Sequence, residues 1–133
     1  MKRILITVLT LVVALLMGSA TMFAHHGNSA YNEVSPITIT GVVTEFVWSN
    51  PHCQIYLDVT DDKGNVVHWG IESQSPGILV RAGWTRKSLQ EGDHITITLA
   101  AAKNGAPVGF SGGATGKVVF ADGRILTMTQ KSQ

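Results

Sequence analysis

The sequence predicts an all-β domain with one short helix, closed into a small Greek-key barrel of five to six strands. Three observations carry that prediction. Stretches of β-branched residues alternate in polarity with a period of two, one short helical signal separates three strand patterns from the two or three that follow, and the 133-residue chain opens on an apolar leader that no barrel strand would need.

Lys2 and Arg3 form a positive start, Ile4 to Met17 an uncharged apolar run, and small residues follow at Gly18, Ser19, Ala20 and Ala24. That is the layout of a secretory signal peptide. The apolar run is shorter than the roughly 20 residues a helix needs to cross a bilayer, so no permanent membrane anchor is expected once the leader is cut. Two cleavage points compete. For a cut after Ala20, Gly18 and Ala20 are both small, whereas cutting after Ala24 puts Met22 where a small residue is preferred, so local chemistry favours Ala20. With the cut after Ala24, the chain divides into a leader (1–24), a polar arm (25–35) and one barrel domain (36–133), in the periplasm or secreted.

In "PITITGVVTEFVW", Ile37, Ile39 and Val43 share one parity and Thr38, Thr40 and Thr44 the other. Gly41 interrupts the pattern, as a bulge or sharp bend does in a strand that must curl around a small barrel. "CQIYLDV" alternates Cys53, Ile55, Leu57 and Val59 against Gln54, Tyr56 and Asp58; "DDKGN" is turn chemistry, and "VVHWGIES" resumes with Val67, Trp69 and Ile71 inward and His68 and Glu72 outward. These two read as a hairpin. Ser75 suits a helix cap, Pro76 the first helical position and Gly83 the left-handed residue after a helix of about two turns, which would fold Trp84 back on Leu79. "GDHITITLA" returns to strand with Ile95, Ile97 and Leu99 inward. The glycine-rich "KNGAPVGFSGG" reads as a loop, and "KVVF", "ADG" and "RILTMT" as a closing hairpin. Three strands, a helix, then two or three strands is the order and length of an OB-like barrel; a small open sheet or sandwich with one helix fits the same pattern.

Charge and motifs remove several functions. The whole chain carries a formal +1; taking Lys2 and Arg3 from ten basic residues leaves eight against nine acidic, net −1, with no basic cluster to displace the counterions of a nucleic acid. Nucleic acid is therefore not an expected partner. Cys53 is the sole cysteine, so no internal disulfide can form. There is no H-E-x-x-H and no phosphate loop. His52 and Cys53 are strand neighbours whose side chains point to opposite faces, so they cannot make a catalytic pair; Cys53 shares parity with aliphatics and reads as a buried thiol.

The polar candidates gather at "WSNPH". Asn50 precedes proline, which pushes it to extended geometry and makes the stretch a corner into the second strand. Trp48 either covers a barrel end there, with Asn50 bonding local backbone, or lines the rim of a binding site. If the hairpin turns near Lys63, Asp58 lies opposite His68 and Gln54 opposite Glu72, with His52 diagonal to Glu72. That outward face is either a solvated surface or a binding patch made of Trp48, Asn50, His52 and Glu72.

Five short motifs occur in order: "AHH" at Ala24 to His26, Trp48 with Asn50, Pro51 and His52, Trp69 with Glu72, Arg81 with Gly83 and Trp84, and Gly92 with Asp93. With them the chain resembles small exported bacterial proteins grouped as a domain of unknown function. The resemblance covers nearly the whole chain after the leader. It implies an exported compartment, a β-barrel and this set of motif residues, but no reaction, and it implies cleavage after Ala24. Cys53 departs from the small residue expected there, so the resemblance gives it no shared role.

Two functions follow as expectations. One is a non-catalytic binding or accessory domain of the bacterial envelope, with an envelope protein or small molecule at the barrel rim. The other is a copper or zinc protein using His25 and His26: a chain beginning at His25 offers an amine and a ring nitrogen to one ion, and nitrogen-rich sets favour Cu(II). A structural envelope protein or an enzyme are the remaining classes.

Overall fold

The alternation of "ITITGVVTEFV" becomes one eleven-residue strand, β1 (Ile37–Val47). A computed structural model describes residues 30–129. The leader, both cleavage points, His25 and His26 lie outside the described residues. After β1 come β2 (Gln54–Thr60), β3 (Val66–Glu72), a helix α1 (Pro76–Arg81), β4 (His94–Ala101), β5 (Val108–Phe110), β6 (Lys117–Phe120) and β7 (Ile125–Thr127). Strand order is β1-β2-β3-β5-β4, closed by pairing of β1 with β4, and β6 and β7 extend from β4. The expected barrel is therefore present with five strands, plus two more.

Closure depends on β1 serving two partners. Its first half, Ile37 to Val42, pairs with β4, and its second half, from Val42, pairs with β2. Gly41 stands at the change of partner. A Cβ there would lie 2.5 Å from the carbonyl oxygen of Asp58, so only glycine allows the strands to cross this closely. The irregularity in the β1–β2 ladder falls between Val43 and Glu45, just beyond the glycine rather than on it. The β2–β3 hairpin has the anticipated register, Gln54 opposite Glu72 and Asp58 opposite His68.

Two elements differ from the sequence reading. Within the expected loop, Val108–Phe110 forms β5 and pairs in parallel with β3. Three residues around a glycine carry no alternation that a sequence could reveal. Gly109 is required sterically, since a Cβ would meet Leu99 Cδ1 at 2.3 Å and Ala100 O at 2.8 Å. β5 and β6 both lie along the β4 edge opposite β1, β5 against Ala100 and Ala101 and β6 against Ile95 to Thr98. Residues 111–116 are thus an excursion from what is otherwise one long strand.

The helix is also capped differently. The Ser75 side chain makes no cap hydrogen bond. The C-terminus closes as expected: Gly83, at φ 92°, donates to Val80 O and Trp84 donates to Leu79 O, a Schellman closure. Trp84 is thereby folded onto the core beside Leu79, both buried, with its indole Nε1 donating to Thr127 O at 2.8 Å. With Val43, Ile55, Leu57, Ile71, Ile95, Ile97, Leu99 and Val118 they fill the barrel.

Trp69 packs against this core but is only half-buried, because β5 reaches β3 only at Gly70 to Glu72 and leaves the wall beside Trp69 open. Trp84→Ala should therefore lose roughly 3–5 kcal/mol in a denaturant melt, the range for buried aromatic truncations, and Trp69→Ala clearly less. The reverse ranking would mean that the barrel is plugged from its other end. Cys53 is wholly buried, and burial outweighs the Ser49 backbone and Arg86 charge in raising its thiol pKa. Native protein should react with a thiol reagent at pH 8 far more slowly than unfolded chain, and equal rates would contradict the burial.

Candidate functional site

The corner between β1 and β2 places the first candidates. Trp48 packs edge-on against Phe46, ring centroids 5.8 Å apart, and its carbonyl accepts a bond from Arg86 Nη1 at 3.3 Å. The Asn50–Pro51 peptide is cis, and Asn50 is exposed at the tip. Ser49 Oγ donates to the His52 carbonyl and holds the far side of the corner. His52 then projects from the outer face while Cys53 turns inward, as strand alternation requires.

His52 Nδ1 meets Glu72 Oε1 across the hairpin. With the carboxylate accepting, the imidazole proton sits on Nδ1 and the lone pair on Nε2. His68 Nδ1 makes the same kind of contact with Asp58 Oδ1, at 2.5 Å, but its side chain is 81% exposed against 42% for His52. Of the four expected site residues, His52 and Glu72 are brought together; Trp48 lies with the aromatic packing at the barrel end and Asn50 on the open corner.

The two histidines border different recesses, His68 a more open one and His52 a more enclosed cleft. About 490 Å³ of space opens beside His52, lined also by Glu33, Gln74, Thr98, Phe110 and the loop Gly112–Thr115. Its floor is the outer face of β4 and β5. One wall is the 111–116 excursion, where a Cβ on Gly112 would overlap Phe110 Cζ at 2.5 Å and Gln74 Nε2 at 2.7 Å. The other wall is the arm. Asn32 N donates to Ala101 O, Lys103 N to Ala30 O, and Tyr31 bridges to Ala102, so the arm is strapped to the end of β4. Tyr31 stacks on Phe110 at 6.3 Å, and Phe110 in turn meets the His52 ring edge-on at 6.5 Å. Burial first, and the Glu72 charge second, raise the Tyr31 hydroxyl pKa.

Sequence reasoning missed Tyr31, Glu33, Gln74, Phe110 and the Gly112–Thr115 wall, which come from separate stretches with no shared motif. The paired glycines 112 and 113 were the one available signal. A second recess, about 510 Å³, lies on the outer face around Tyr56, Gly70, His68 and Val108. Every side chain with charge or ligating power in the His52 cleft is a carboxylate, imidazole, amide or hydroxyl; none of the lining residues is Lys or Arg. Among the described residues, no group of three or more His, Cys, Asp or Glu is placed to hold a metal ion. No described helix is long and apolar enough to cross a membrane.

Comparison with curated proteins and with solved structures gave no match. A family model described as a family of unknown function, DUF6152, matches residues 13–111, which include the arm, the N-P-H corner, the hairpin, the helix and the strands up to the closure of the barrel. The chain thus belongs to the DUF6152 family.

Proposed function

We propose that this chain is an exported, non-catalytic binding or accessory domain of the bacterial envelope, whose ligand, an envelope protein or a small molecule, occupies the cleft beside His52. The observation that carries this reading is His52, held from behind by Glu72, on the wall of an enclosed cleft that the arm and the 111–116 excursion border, whereas His68, held by Asp58, is 81% exposed. The charged N-terminus, apolar run and small residues of the leader support export. The nearest thiol is buried on the opposite face, and the buried hydroxyls of Ser73 and Ser111 are bonded to Met128 Sδ and Thr98 O, so none of these three is offered to His52 as a nucleophile. His52 and Glu72 contact the ligand; Trp48 fixes the corner that carries them, and Asn50 borders its mouth.

Protein recovered from the periplasm with its leader processed should carry a bound mass in native mass spectrometry. His52→Ala should lose that mass while its melting temperature stays close to that of the parent. Equal occupancy in the variant would place the ligand elsewhere.

A second reading, copper or zinc at His25 and His26, is favoured by one observation: the strapped arm sets the chain just after these residues against Phe110 and the cleft. A chain starting at His25 should bind Cu(II) in calorimetry and one starting at Thr21 should not. Binding should vanish in His25→Ala and weaken as pH falls through about 6.5, where protons compete for imidazole. Equal affinity for the two chain lengths would end the reading.

A further inference from the structure

We infer that the cleft beside His52 takes a guanidinium group, laid against the Phe110 ring and hydrogen-bonded by Glu33, Gln74 and His52. The inference rests on the reading of this cleft as the ligand site and names the chemistry of the group that enters it.

The cleft is rich in acceptors and has no charged donor in its lining. Glu33, Gln74 and Thr115 line it, and among the described residues nothing makes a hydrogen bond or ion pair with any of these three side chains. His52 adds a fourth unspent group, because its Nδ1–H is given to Glu72 and the Nε2 lone pair is left over. With no Lys or Arg in the lining, an anionic ligand would find no counter-charge there, and its oxygens would be repelled by the Glu33 carboxylate. A guanidinium is the reverse case: it is donor-only, with a fixed positive charge. Two carboxylates, Glu33 in the lining and Glu72 behind His52, set the sign of the field, and low-dielectric walls concentrate it. Glu72 acts as far as the arm, where its charge adds to burial in raising the Tyr31 hydroxyl pKa.

The aromatic wall selects a guanidinium over an ammonium. Phe110 lines the cleft, with Tyr31 stacked on it, ring planes 25° apart, and the His52 ring edge-on. A guanidinium is planar and weakly hydrated, so it stacks on such a ring while its edge donates to a carboxylate; an ammonium is a compact, strongly hydrated point charge. The chain itself contains this arrangement: the Arg124 guanidinium carbon stands 4.1 Å from the centroid of the Phe120 ring while Nε donates to Asp122 Oδ2 at 2.8 Å. Phe110 and Glu33 offer the same two kinds of partner in the cleft, whose space of about 490 Å³ admits the group with its alkyl stem.

The test titrates the leader-processed protein with N-acetyl-arginine methylamide and with its citrulline counterpart, nearly identical in shape but uncharged, and follows amide signals by NMR. The arginine probe should bind and move the signals of His52, Gln74 and Gly112 to Thr115, and the citrulline probe should bind about tenfold more weakly. Glu33→Gln, at an exposed side chain without protein partners, should weaken arginine binding about fivefold at an unchanged melting temperature. Gln74→Glu should tighten it. Glu45→Gln removes the same charge from the other recess and should leave the affinity as it is. Butylguanidinium and a blocked peptide with one arginine among glycines separate the two sources of the group: tighter binding of the small cation marks a free molecule, tighter binding of the peptide an arginine displayed by an envelope protein. The inference is overturned if the citrulline or a lysine probe binds as tightly as the arginine one, if Glu33→Gln leaves the affinity unchanged, or if the shifts are confined to the other recess. If the arginine probe does not bind while protein from the periplasm carries a mass that His52→Ala loses, the inference falls and the cleft reading stands. With neither probe binding nor a bound mass, both fall.

Discussion

The contact on which this molecule depends is the bare Cα of Gly41 against the carbonyl of Asp58. At that point β1 leaves β4 and takes up β2, and this change of partner closes the five-stranded barrel. A methyl group at 2.5 Å from that oxygen would hold β1 and β2 apart. The β2–β3 hairpin would then lose its fixed place relative to β4, and β5 could no longer bridge β3 and β4.

Everything at the cleft is built on that closure. Because β5 is pinned between β3 and β4, Phe110 stands on the outer face between Glu72 and Ala100, its ladder partners. The chain must then leave the sheet at Ser111, whose N–H donates to Glu72 O and whose hydroxyl donates to Thr98 O, before rejoining β4 at Lys117. The excursion forms one wall of the cleft, and the arm strapped across the end of β4 forms the other. The closed barrel supplies the floor and the His52–Glu72 edge.

The sequence was most informative where period and chemistry repeat. Alternation in β1, β2, β3 and β4 located the strands and their buried faces, the turn at Asp61 to Asn65 set the hairpin register, and that register alone predicted that His52 and Glu72 would meet. It failed where a single contact decides. β5 is three residues long and exists because Gly109 fits against Leu99, which no local pattern announces. Ser75 looks like a cap but its side chain makes no cap bond, whereas the Gly83 and Trp84 closure of the helix was legible. Trp69 has the parity of a core residue and is half-exposed because its neighbouring strand stops short. The cleft was illegible for a related reason: its lining comes from the arm, the corner, β4, β5 and the excursion, which only the tertiary fold assembles.

That assembly links the cleft to the stability of the whole domain. Glu33 and Thr115 lie far apart along the chain, on either side of most of the barrel strands, and both face the same space. No hairpin or half-barrel contains enough of the cleft to hold an occupant. Any molecule or ion that settles there therefore favours only the completed fold, and raises global stability in proportion to the logarithm of its concentration over its dissociation constant. Occupancy of the cleft would act as a thermodynamic latch on the last step of folding.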